Sequence, residues 1–302
     1  MSPAALGAFD PPVIGIQAGV QVAVALILAA MVYARGWSRL HVVVPQAIRF
    51  WRVCAFFCGL VCIWVAIGSP LAALDEQLLS VHMVQHLLLS TFAPPLLLLG
   101  APVVPLLRGL PRGVRRRIVG PLLCSWPVRK LRRAFSHPVV CWLAAVTTLI
   151  VWHVPAVFEL AVHSERLHQV EHLSFLVSGL LFWWPVIEPW PSVARWPRWA
   201  VPLYLFCATL PCDVLSAFLA FCDRVVYPTY LSSPRISSLS AFADQECAGS
   251  LMWISVTFAY LVPAVVIATQ LLSRKNQALI TPRHGLPAPK DEGPNGSAAQ
   301  VA

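Results

Sequence analysis

The sequence predicts an all-α, polytopic membrane protein with seven transmembrane helices, its N-terminus out and its C-terminus in, and three observations predict it. The first is composition: of 302 residues, 58% are apolar or aromatic and only 12% are charged, whereas an average soluble domain is about a quarter charged. The second is a set of seven apolar stretches, each close to the roughly 20 residues that a helix needs to cross a hydrocarbon layer about 30 Å thick. The third is the uneven placement of Lys and Arg along the chain. A water-soluble fold is thereby excluded, and so is a disordered chain, which would be poor in large apolar side chains and rich in charge. The net charge of +9 belongs to basic loops facing the cytoplasm, and nucleic acid is not expected as a partner.

The spans are expected at residues 13–33, 50–68, 78–99, 138–153, 170–187, 201–221 and 248–272. No Lys or Arg precedes the first, so it lacks the basic region of a cleavable signal peptide and reads as a span. The second carries Cys54, Cys58 and Cys62 on one face at i, i+4 and i+8, the spacing of buried thiols acting as small hydrophobes. The third closes on Ala93-Pro94-Pro95 and Gly100-Ala101-Pro102, which predicts a bent helix ended by a turn. The fourth is the shortest, and it has room to continue past Pro155 to Val162, because membrane helices tolerate proline where neighbours satisfy the freed carbonyl. Trp152 and the Trp183-Trp184-Pro185 run that ends the fifth suit interfacial anchors. Asp213 lies about twelve residues into the sixth, roughly 18 Å along it, and an ionisable residue at that depth is expected to have a function. The seventh follows Asp244-Gln245-Glu246-Cys247 and carries Met252. Residues 1–12 form an extracytoplasmic segment, residues 13–272 one seven-helix domain without a repeat period, and residues 273–302 a disordered cytoplasmic tail rich in Pro, Gly and Ala.

Orientation follows from the loops. With the N-terminus outside, the inward segments hold 19 of the 22 Lys and Arg, leaving only Arg166, Arg224 and Arg235 outside. Positive charge marks the cytoplasmic side, so a multi-pass protein of the cytoplasmic (inner) membrane is expected. Nine of the basic residues fall between Arg108 and Arg133 with no acidic residue among them. That stretch suits anionic membrane lipid as well as topology.

Histidine carries the chemistry. His41, His137 and His284 fall on the cytoplasmic side, whereas His82, His86, His153, His163, His168 and His172 all map to the outer third or outer loops. His82 and His86 project from one helix face one turn apart. Two imidazoles so placed can share a metal ion, although interfacial histidines bonded to loop carbonyls give the same pattern. His168-Gln169-Val170-Glu171-His172 repeats the spacing, with Glu171 placed to hold the second ring nitrogen of His172, as carboxylates do behind metal-bound histidines. The same five residues spell the inverted zinc-hydrolase pattern, in which His168 and His172 bind zinc and Glu171 is the base. That reading also requires a further ligand and a water-filled cleft. With His153, Asp244, Met83, Met252 and Cys247 at the same level, the outer face offers imidazole, carboxylate, thiol and thioether. Copper suits this mixed set best, and haem, held by one histidine from each of two helices, fits the same supply and would make an electron-transfer protein. Cys222 and Cys247 flank the last outer loop, where an oxidising compartment allows a disulfide.

The run His82-Met83-Val84-Gln85-His86-Leu87-Leu88-Leu89, followed by Ala93-Pro94-Pro95-Leu96 and Leu99-Gly100-Ala101-Pro102, resembles the bacterial CtaG-type cytochrome c oxidase assembly factors. The order of later motifs resembles them too: Trp152-His153, His168 with Glu171-His172-Leu173, Phe182-Trp183-Trp184-Pro185, Tyr227-Pro228-Thr229-Tyr230, and Asp244-Gln245 with Gly249 and Met252-Trp253. The resemblance spans roughly residues 59–269. It implies a membrane protein without catalytic turnover that helps to form active haem-copper oxidase, with copper as its cargo, an oxidase subunit as its partner and a copper donor protein upstream. By the same resemblance His82, His86, His153, His168, His172 and Asp244 are the metal-site residues. Cys54, Cys58, Cys62, Cys212 and Cys247 match no motif of the family, so the resemblance does not imply a thiol-based copper mechanism.

Overall fold

Hydrocarbon offers backbone N–H and C=O groups no partner, so an apolar chain of this kind closes its hydrogen bonds within helices. The structure, a computed structural model, describes residues 13–43, 49–134, 137–188, 196–232 and 239–280, and every regular element among the described residues is helical. The fold is carried by α1 (Val13–Val43), α2 (Phe50–Ile67), α3 (Leu79–Leu99), α4 (Pro138–His153), α5 (Pro155–Val162), α6 (Glu165–Ile187), α7 (Ala200–Phe221) and α8 (Ala241–Ile280). Six of these helices are long and apolar enough to cross a membrane, and α4 with α5 makes a seventh if the bent pair counts as one span. Short helices between Val103 and Ala134 bridge α3 and α4 at one end of the bundle, where Arg112, Arg115, Arg116 and Arg117 are exposed. This is called the arginine end, and the opposite one the cluster end.

Several boundaries differ from expectation for one physical reason: apolar patterning marks only the part of a helix that hydrocarbon must hold. The first helix runs on to Val43, the fifth span begins at Glu165, and the last helix extends from Ala241 to Ile280, so residues 273–280 are helical where a disordered tail was expected. Residues 1–12 and 281–302 lie outside the described residues. The fourth span does not run straight past Pro155. Proline pushes the residue before it out of the helical region, Val154 is extended (φ −65°, ψ 122°), and α5 turns away by 76°.

The third span crosses in two phases. Pro94 and Pro95 supply no N–H and crowd the carbonyls one turn back, and α3 absorbs them with a π-helical turn at Leu88–Phe92, closed by the Ala93 N–H donating to the Leu88 carbonyl. The Ser90 hydroxyl donates to the His86 carbonyl at 2.7 Å. Here α6 comes so close that a Cβ on Gly179 would stand 2.6 Å from the Ser90 carbonyl oxygen. Gly249 of α8 lies similarly tight against α7, where an added Cβ would stand 2.8 Å from the Ser216 carbonyl oxygen. These contacts draw α3, α6, α7 and α8 together around a shared interior.

Polarity is inverted relative to a soluble protein. Outward faces show Val24, Leu210, Val214 and Phe258, each at least half exposed, whereas Gln85, Glu171 and Gln245 are fully buried. Cys54 and Cys58 are exposed on α2 and Cys62 is half-buried, contrary to the expected buried stripe. Spacing says only that the three share a face, and the inward face is taken by Val53, Phe56, Leu60 and Ile63. Cys222 and Cys247 are free thiols, not a disulfide. Trp183 is also no interfacial anchor: it is buried against Phe182 and Tyr260, while the Trp152 indole donates to the Ser174 hydroxyl at 2.7 Å.

Candidate metal centre

Residues four apart on α3 and four apart on α6 place four imidazoles face to face at the cluster end. The ring centroids of His82 and His86 are 4.3 Å apart, those of His168 and His172 4.2 Å, and across the helices His82 stacks on His168 at 5.4 Å while His86 meets His172 at 5.9 Å. Glu171 lies between them, fully buried, with Oε1 3.3 Å from His86 Nε2 and 3.7 Å from His82 Nε2. Its carboxylate therefore serves the facing helix rather than its neighbour His172, as the sequence had suggested. Asp75 reaches in from the turn before α3, its Oδ2 3.5 Å from His168 Nε2, and burial pushes its carboxyl up to about 7.

Ligand atoms of Asp75, His168 and His172 lie within 4.8 Å of one another, and so do those of His82, His168 and Glu171. Buried polar atoms ordinarily find partners. Here, apart from the ion-pair approaches just given, His82 Nε2, both ring nitrogens of His86, His168 Nε2, His172 Nε2 and both oxygens of Glu171 make no hydrogen bond of proper geometry. Orphaned nitrogens and carboxylate oxygens converging on one space fit a metal ion, and the imidazole-rich donor set accepts copper or zinc.

His153 stands at the edge of this group, its ring 6.0 Å from that of His86. Asp244, expected as a ligand, is occupied elsewhere. It accepts from the Leu79 N–H at 2.6 Å, from the Ser80 N–H at 3.3 Å and from the Ser80 hydroxyl, capping the open N-terminus of α3. Gln245 beside it accepts from the Val226 N–H at 2.7 Å and donates to the Leu219 and Arg224 carbonyls. The Asp244-Gln245 pair thus braces the elements that carry the cluster. Tyr227 and Tyr230 do likewise, donating to the carbonyls of His153 and Asp75 at 3.1 and 2.9 Å. His163 is exposed and pairs with Glu159, and Asp213, half-buried on α7, is not among the converging ligands. Asp75 was missed by sequence reasoning, and the signal was the Asp75-Glu76 pair just ahead of the helix that carries His82 and His86.

The zinc-hydrolase geometry is not favoured, since Glu171 is sealed among rings rather than facing a water-filled cleft.

A family model described as cytochrome c oxidase caa3 assembly factor matches residues 31–274. Uncharacterized proteins of Mycobacterium bovis and Mycobacterium tuberculosis are each 27% identical over 257 residues, which is 81% of this chain and 37% of theirs. A Mycobacterium leprae protein is 27% identical over 254 residues, 80% of this chain and 38% of its own. The chain thus spans little more than a third of the length of these curated relatives. No solved structure matches.

Proposed function

Because the chain belongs to the cytochrome c oxidase caa3 assembly factor family, we propose that it is a copper-handling factor, without catalytic turnover, that serves haem-copper oxidase assembly in the cytoplasmic membrane. Its histidine–carboxylate cluster holds copper, received from a donor protein, and passes it to an oxidase subunit. The observation that carries this reading is the convergence of orphaned imidazole nitrogens from α3 and α6 with the Glu171 oxygens. The surplus of donors suits hand-over, since an ion can change partners stepwise without leaving coordination. The bias of Lys and Arg, 19 of 22 of them in the segments read as inward, supports an orientation with the arginine end in the cytoplasm and the cluster at the outer surface, where an oxidase subunit in the same membrane can meet it.

Copper content of the purified protein and oxidase activity of the cells, each measured with the H82A/H86A double variant, test the reading. Loss of bound copper together with low oxidase activity is expected. Unchanged copper content and unchanged oxidase assembly would overturn it.

A further inference from the structure

Beneath the cluster, a cavity of about 60 Å³ runs from His86 and His153 inward to Phe182 and Tyr260. Its walls differ in chemistry from the cluster above. Carboxylates are absent from its lining; beside the imidazoles of His86 and His153 and the hydroxyls of Ser90, Thr91, Ser178 and Tyr260 it carries three sulfurs, Met83, Met252 and Cys212, all buried.

The decisive detail is at His153. Its Nδ1 is 2.7 Å from the Leu149 carbonyl, an acceptor that only an N–H can meet, so Nδ1 carries the proton and Nε2 of the neutral ring bears the lone pair. That lone pair faces the Met83 sulfur at 3.4 Å. A thioether is itself a lone-pair donor with no proton to give. The two groups therefore oppose donor to donor, an arrangement that a cation between or beside them would satisfy. The opposite tautomer would place the Nδ1 lone pair against the carbonyl, which is worse.

Sulfur and imidazole are the ligands preferred by Cu(I) and similar soft ions, whereas carboxylate suits harder divalent ones. A mostly apolar lining also disfavours strongly hydrated ions. We propose that this cavity is a second compartment of the centre, selective for a soft monovalent cation of the Cu(I) class, with Met83 and His153 as its first ligands and Met252 and Cys212 as further sulfur donors. The proposal rests on the reading of the cluster as a copper-handling site and specifies the metal form that site stores deeper in the membrane.

The experiment uses the full chain in detergent, with Ag(I) as a redox-inert probe of the cavity and Co(II) as a probe of the cluster above. X-ray absorption at the silver edge is expected to show sulfur scatterers. In protein grown with selenomethionine, which leaves the fold untouched, selenium replaces them; of the other methionines, Met31 lies on the exposed face of α1 and Met1 precedes the described residues. The volume-conserving M83L/M252L variant loses the selenium scatterers, keeps at most the Cys212 sulfur and binds Ag(I) at least about tenfold more weakly, while Co(II) binding stays within about twofold. Silver bound only through nitrogen or oxygen in the unaltered protein, or no change in the variant, overturns the proposal. A chain that takes up Ag(I) on sulfur but binds no Co(II) instead overturns the cluster reading, so the two failures are distinguishable.

Discussion

At Asp244 the chain uses a carboxylate to begin a helix on another segment. The first N–H groups of α3 have no intrahelical partner, and this side chain, 165 residues from Leu79 in sequence, accepts from two of them. Replacing it by Ala is expected to cost about 1–2 kcal/mol, whereas Asn, whose amide oxygen still accepts, retains most of the stability. Both variants should keep Co(II) affinity within a few-fold, read by absorption titration, because a cap is no ligand. The type and depth of Asp244 were legible in the sequence, but its role was not, since a cap on a distant helix leaves no local spacing. Gly179 makes a comparable case. Ala there places a methyl 2.6 Å from the Ser90 carbonyl, a backbone atom that cannot swing aside. A loss of about 1–3 kcal/mol is expected in detergent unfolding, along with weaker metal binding through the displaced His86 turn.

The element that sets the site is α3. H-x-x-x-H spacing shows two imidazoles on one face, yet their phase relative to the Leu97 end depends on the π-helical turn at Leu88–Phe92, which no periodicity announces. Pro94-Pro95 was read as a bend, and the chain solves the problem with an extra residue in one turn instead. Deleting one residue from 88–92 should restore a regular helix and rotate His82 and His86 by about 100° relative to the rest of α3. The expected outcome is a membrane-inserted protein that has lost Co(II) binding, checked by fractionation and metal titration. The repeated i, i+4 spacing of the two histidine motifs was legible in the sequence, but not that α3 and α6 bring them ring to ring, since which helices pack is decided by contacts far apart in the chain. Asp75 escaped because it follows a 3₁₀ turn (Pro70–Leu74), where no helical face directs attention to it.

For the whole molecule, composition and the positions of apolar runs were enough to give an all-helical membrane bundle, since hydrocarbon permits few alternatives. Helix ends in water and the break at Pro155 were not legible, because beyond the bilayer polar and apolar residues continue a helix equally well. Orientation remains a prediction from charge. A periplasmic phosphatase reporter fused after Ser232 should be active, and a fluorescent reporter fused at the C-terminus should fold in the cytoplasm; reversal of both would invert the assignment. The unsatisfied nitrogens and oxygens packed beneath the tyrosines bear on how long each copy survives. Such groups cost about 1–3 kcal/mol each when buried, and an ion that binds them adds RT ln(1 + [L]/Kd) to stability, so melting temperature should climb when Co(II) or copper is titrated in. An idle copy is then the frailer one, the first to be cleared by membrane proteases, and cellular abundance becomes a gauge of metal supply.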